Sequence, residues 1–217
     1  MLSMHTSQAG RGGIAPYHHG DLREELLRVC RNQLRTGGLD AISLRKAAQE
    51  IGVSHAAPSR HFTSKHALLT AIAAQGFAEA ADELASACRK DADDLDAMCR
   101  RYIAFGQQEP ELYALMAQPK LVDFSDPEIV KPRAVCFAAM MGAVSRALGA
   151  DAENVESRTV ALWASLHGIV MLTQSGVLEH DHGDGSTPLD PSELVRHIRS
   201  GICRPPVAKT GAGRTDV

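Results

Sequence analysis

Three groups of residues in this 217-residue chain have types and spacings that could do chemistry. The first would be metal chemistry. "HDHGD", His180 to Asp184, has the H-x-H-x-D spacing of some metal-dependent hydrolases. A working centre needs a further ligand and a strand end or outer shell to hold it, and the sequence supplies neither. A solvated loop is the simpler reading. His18 and His19 are adjacent, so their side chains diverge, and a polyanion-facing arm or a solvated segment suits them better than a metal. The five cysteines, at 30, 88, 99, 136 and 203, make no CxxC pair and are odd in number, which argues against a disulfide framework or a zinc ribbon. Cys30, Cys88 and Cys136 sit in apolar helical patterns and read as small hydrophobes. No catalytic residue, metal ligand or cofactor is assigned.

The second group would bind a polyanion. "SLRKAAQEIGVSHAAPSRHFTSKHALL", Ser43 to Leu69, reads as helix, turn, helix, turn, helix, with small alanines where core side chains would be expected. Residues 1–70 hold nine Lys/Arg against five Asp/Glu, a surplus of four positive charges, and six of the ten histidines. The remainder carries 14 basic and 21 acidic residues. A basic head on an acidic body points to a polyanion partner. Two helices joined by "GVS" fit a helix-turn-helix, whose second helix enters the DNA major groove. Ser43 and Arg45 would lie at the start of the first of these helices. Ser54 would place a helix N-terminus near a phosphate. His55, Ala56 and Ala57 would face bases, the alanines allowing close approach and methyl contact with thymine. Arg60, His61 and Lys65 would grip phosphates. Leu44, Ala48, Ile51, Val53 and Phe62 would pack the unit.

The third group, Tyr102, Phe105, Tyr113, Met116, Trp163 and His167, is aromatic with a few polar tips. It could line a small-molecule pocket, with Met140 and Met141 in its wall. For His167 the competing reading is a hydrogen-bonded core histidine.

The elements that position these groups read as all-α. Strand-like alternation is absent, and aromatic residues are only 4%, so no sandwich or barrel pattern emerges. Helix 1 is expected from Asp21, with Asp21 and Glu24 as a capping pair, to Gly37-Gly38. Helix 2 follows Ser43 and closes at Gly52. Helix 3 is capped by Ser54 and runs to about Phe62, with Pro58 at the edge of its first turn. Helix 4 is capped by Ser64. Later helices are expected near 92–107, 110–117, 127–149, 153–177 and 191–203, three of them opened by Pro110, Pro127 and Pro191. No apolar run is long enough to span a membrane, and no signal layout opens the chain, so the cytoplasm is expected.

The helix near 153–177 is apolar on two sides. Val160, Trp163, Ala164, His167 and Met171 form one stripe, and Leu162, Leu166, Ile169 and Val170 another. Such a helix is buried on both sides, one against its own domain and one against a partner. Together with 191–203 it could build a four-helix dimer interface.

The register of "ISLRKAAQEIGVSHAAPSRHFTSKHALL" resembles the TetR family of transcriptional regulators over roughly 21–78. "YHHGDLREELL" and "WASLHG" further resemble the subgroup with a WHG-type C-terminal domain. The family usually has a phosphate-contacting tyrosine before "RHF"; here Ser59 stands in its place, with shorter reach. The resemblance implies a homodimer on a palindromic double-stranded operator, with repression relieved by a small-molecule inducer. It implies a DNA-binding domain over 17–78 and a ligand-binding and dimerisation domain over 79–203; by composition, 1–16, rich in Gly, Ser and Thr, reads as a disordered arm and 204–217 as a flexible tail. A partner-binding module without an operator and a metal-dependent hydrolase remain the alternatives.

Overall fold

The computed structural model describes residues 21–88, 94–149, 153–178 and 190–203. Those residues form eight α-helices and no strand: α1 (Asp21–Ala41), α2 (Leu44–Ile51), α3 (Lys65–Ala87), α4 (Asp94–Gln108), α5 (Pro110–Met116), α6 (Pro127–Leu148), α7 (Val155–Gln174) and α8 (Pro191–Ile202). The histidines at 18, 19, 180 and 182, like the expected arm and tail, lie outside the described residues.

Local signals explain most helix ends. The Ser43 hydroxyl accepts the Lys46 N–H, and the Ser64 hydroxyl accepts that of Ala67 at 3.0 Å. Asp126 and Asp190 do the same for Glu128 and Ser192, each just ahead of an opening proline. These bonds satisfy N–H groups with no partner inside their helix. α1 breaks at Gly38, whose φ of 68° suits only glycine, and α2 closes at Gly52 with φ 80°.

Glu24, on the first turn of α1, accepts from Arg23 and from Gln75 on α3. The expectation for 54–62 fails: it is no regular helix. Residues 55–57 turn, and Pro58–Arg60 form one 3-10 turn. Pro58 is buried at the first position of that turn, where it needs no N–H, and its carbonyl accepts from His61 and Phe62. The segment is too short, and too poor in long apolar side chains, to hold an α-helix by packing.

α3 is the central rod. Leu68, Leu69, Ile72 and Ala73 near its start are buried, as are Ala80, Ala81 and Leu84 further on. It packs most extensively on α6 and also meets α1, α4 and α5. The head is tied to the body by ion pairs. Arg31 on α1 makes a forked pair with Glu79 on α3 and lies 3.7 Å from Glu109. Arg23 reaches Glu128 at the start of α6, 3.0 Å away. α4 and α7 touch closely: a Cβ added to Gly106 would collide with Val170, and Gln174 donates to the Gly106 carbonyl at 2.8 Å.

The two stripes of α7 divide sharply. Leu162, Leu166, Ile169 and Val170 are buried within the chain, whereas Val160, Trp163, Met171 and Leu172 are 41–44% exposed. A Cβ at Gly168 on α7 would meet nothing within 4 Å.

Candidate functional site

The first candidate surface is the turn between α2 and α3. Ala47, Ala48 and Phe62 are buried beneath it, with Leu44, Ile51 and Val53 packed against the same core. Above this floor, Ser54, His55, Ala56, Ser59, Arg60, Lys65 and Arg45 are exposed. His61 is half-buried, and Ser43 is occupied as the α2 cap. Ala57, expected among the base-facing residues, is half-buried and packs on the core.

Two of the exposed polar groups are partly engaged already. The Ser59 hydroxyl donates to the Ala56 carbonyl at 2.8 Å, which uses its single proton inside the turn. The Lys65 ammonium donates to the Leu39 carbonyl at 3.2 Å and keeps two further donors. Lys46, exposed beside Arg45 on the same first turn of α2, is a cation that the sequence reading passes over. Its adjacency to Arg45 and to a capping serine is the available signal.

The second candidate is a cavity of about 660 Å³ inside the body, bounded by α3, α4, α5, α6 and α7. Tyr102, Phe105, Tyr113, Met116, Trp163 and His167 all line it. Met140 joins them, but Met141 faces outward, 37% exposed. That volume is ordinary for a small-molecule site.

Its polar wall is one hydrogen-bonded run. The Trp163 indole N–H donates to Tyr102 Oη at 3.0 Å. The Tyr102 and Tyr113 hydroxyls are 2.9 Å apart, and Tyr113 Oη lies 2.7 Å from His167 Nδ1. Burial lowers the His167 pKa and raises those of both tyrosines. With a neutral imidazole, the order that uses every hydroxyl proton runs Trp163 to Tyr102 to Tyr113 to Nδ1. The imidazole proton then rests on Nε2. Tyr102 and Tyr113 meet edge to face, and Tyr113 stacks on His167.

The remaining lining is apolar except at a few points. Arg133 is exposed, its guanidinium 4.7 Å from the Phe124 ring centre and 5.8 Å from that of Phe77. Burial pushes the Cys136 thiol up to about 11, so it stays protonated and unreactive. Glu83 is a residue that the sequence reading misses. It lines the cavity, and its Oε2 atom is buried with no hydrogen-bond partner. The signal is an acidic residue in the apolar stripe Phe77, Ala80, Leu84 of α3.

Among the described residues, no group of three His, Cys, Asp or Glu could hold a metal ion, and no helix is long and apolar enough to cross a membrane. The HDHGD segment falls outside them.

Residues 26–72 match the sequence model of bacterial regulatory proteins of the tetR family. Residues 95–197 match that of the tetracyclin repressor-like C-terminal domain. The chain belongs to the TetR family. No curated protein matches it by sequence. Among solved structures, a protein of unknown function from Rhodococcus sp. RHA1 is 30% identical with a TM-score of 0.71, the alignment covering 88% of this chain and 97% of that one. The TetR family transcriptional regulator PfmR from Thermus thermophilus is 19% identical with a TM-score of 0.55, covering 82% and 96%. The multidrug binding protein EbrR, solved with imidazole, is 20% identical with a TM-score of 0.54, covering 86% and 97%. The first matched segment spans the turn between α2 and α3, and the second holds the cavity lining from Arg101 to His167, while the α3 wall from Phe77 to Leu84 lies between the two. As a TetR-family protein the chain is a DNA-binding transcriptional regulator, with a helix-turn-helix head and a helical C-terminal domain.

Proposed function

We propose that this regulator is a repressor that binds a palindromic operator as a homodimer in the bacterial cytoplasm and lets go when a small, mostly apolar molecule enters the cavity. The observation that carries this reading is the course of α3. One helix begins at Ser64, beside the exposed turn, and presents Phe77, Ala80 and Leu84 to the cavity. A ligand acts only through different affinity for two arrangements of the protein. A rod shared by the cavity wall and the DNA head gives those arrangements a common part. In this reading His55 and Ala56 still face bases and Arg60, His61 and Lys65 still grip phosphates, with exposed Arg45 beside them; Ala57 withdraws to the core, and Ser54, with no α-helix behind it, offers its exposed hydroxyl alone. The exposed face of α7 supports the dimer, since four large apolar side chains on one helix are a surface that a second copy would cover. The EbrR likeness lends the cavity an analogy of fold and no more.

The test is selection of bound genomic fragments by the purified protein, then footprinting on the recovered fragment. A protected palindrome of two half-sites, released by a compound that also quenches Trp163 fluorescence, is the expected result. Enrichment of no fragment at low salt would overturn the operator and favour a partner-binding module. A protected operator that no cavity-binding compound releases would overturn the inducible part alone.

A further inference from the structure

The cavity has one atom whose environment is incomplete. Glu83 Oε2 is buried without a hydrogen-bond partner in a wall that is otherwise mostly aromatic and aliphatic. Buried polar atoms are almost always paired, because an unpaired one loses its water and gains nothing in return. Two cations also line the cavity, Arg101 and Arg133, and would favour an anionic guest. Both are exposed and keep their hydration, so a guest carboxylate gains little from them. The Glu83 oxygen is the group cut off from solvent, and it is the one that a guest improves most. Its surroundings favour the same sign. Aromatic faces attract cations, and Arg133 already shows this at the rings of Phe77 and Phe124. The far wall has no exposed anion of its own, since His167, Tyr113 and Tyr102 satisfy one another.

We propose that the effector is an organic cation: an apolar, ring- or chain-bearing amine whose N–H group is held by the Glu83 carboxylate. This rests on the cavity being the effector site. It adds that recognition occurs on α3 itself, the helix that leads to the DNA head. The carboxylate accepts and the ammonium donates, so no proton need move.

The single tryptophan of the chain lines the cavity and reports occupancy directly. Three probes of one shape are 4-phenylbutylamine, 4-phenylbutanol and 4-phenylbutyrate. They absorb negligibly where tryptophan is excited, and the amine stays cationic near neutral pH, as lysine does. Each is titrated into the full chain while Trp163 emission is followed. The amine should bind about ten-fold tighter than the alcohol, and the butyrate weakest. Glu83→Gln, which keeps the shape, should bring the amine down to the affinity of the alcohol and leave the alcohol unchanged. The unchanged alcohol also shows that the variant is folded. Equal binding of amine and alcohol by the wild type, or tightest binding of butyrate, would overturn the cationic effector and leave the cavity reading standing. Failure of all three to perturb Trp163 would overturn both.

Discussion

The turn between α2 and α3 and the cavity wall are built on opposite plans. The turn is local: Ser59 bonds Ala56 and Ser64 bonds Ala67, each three positions away. The cavity wall is distant: Trp163 reaches Tyr102 across 61 positions, and His167 reaches Tyr113 across 54. A local device keeps its form as long as its short floor is intact. A distant one exists only while several helices stay packed. The turn should therefore tolerate change at its tips and fail at its floor, while the cavity should respond to change anywhere in its bonded run.

The largest effect is expected at the floor of the head. Phe62 is 4% exposed, with the Arg23 guanidinium 5.7 Å from its ring centre. Phe62→Ala should cost about 3–5 kcal/mol of stability and abolish DNA binding, because the 3-10 turn rests on that ring. Denaturant unfolding checks the first part and fragment binding the second. A loss under roughly 1 kcal/mol, the size of one net hydrogen bond, would mean that the turn is held by its own hydrogen bonds instead.

Next in size is the exposed side of α7. Met171→Glu combined with Val160→Glu puts two charges on a face that is open within one chain, so folding should survive. Sedimentation should then find monomers where the parent is dimeric. Operator affinity should fall on the order of 10²-fold or more, as each head loses the benefit of its tethered twin. A monomeric parent at micromolar concentration would remove the dimer from the proposal. Leu166→Glu on the inner stripe is the contrast: Leu166 has no exposure, so the same charge there should unfold the chain.

How much of each region can be read from sequence follows from the same contrast. Helix ends at Ser43, Gly52, Ser64, Pro110, Pro127 and Pro191 are legible, because a cap or a breaker acts within a few residues. Reading 54–62 as a helix is wrong, and Pro58 is the clue. It looks like a tolerated residue in a first turn, whereas it opens a separate 3-10 turn. The aromatic lining is legible by type. Glu83 is marked only by its place in the apolar stripe Phe77, Ala80, Leu84; that its Oε2 atom is shut off without a partner shows only in the packing. The two stripes of α7 are legible as apolar, but only packing shows that one is filled within the chain and the other is left open.

A smaller effect is expected at the tip of the turn. Lys65→Ala removes one cation and its bond to Leu39, while the Ser64 cap stays. Binding should weaken on all sequences alike, and the salt slope should drop by roughly 1. Ala56→Leu, on an exposed tip, should instead hurt specific binding far more than non-specific binding. Ser59→Tyr gives up the bond to Ala56, costing about 0.5–1.5 kcal/mol of stability. It should nonetheless tighten operator binding, by up to roughly ten-fold, as the longer side chain regains a phosphate hydrogen bond. A tip whose substitution shifts stability as much as Phe62→Ala would break the distinction between tip and floor.

The smallest effect is one of pH, and it belongs to the cavity alone. Burial lowers the pKa of His167 in the folded protein from about 6.5. The unfolded chain therefore takes up this proton first as the pH falls. Stability from the neutral imidazole is complete above pH 6.5 and is lost as the pH drops through the lower folded value. Protonation also puts a second proton on the ring, at Nδ1, the atom that accepts from Tyr113. The links from His167 to Tyr113 and Tyr102 must then reverse or open, while the Trp163 indole, a donor only, can keep Tyr102 as its acceptor. Melting temperature followed from about pH 7.5 down to about 5, a span that brackets the ordinary histidine range, should decline in the wild type and decline less in His167→Gln. If His167→Gln and the wild type ran parallel, the imidazole would not be a strained member of the run, and its Nδ1 bond to Tyr113 would be serving only to fill space beside the cavity.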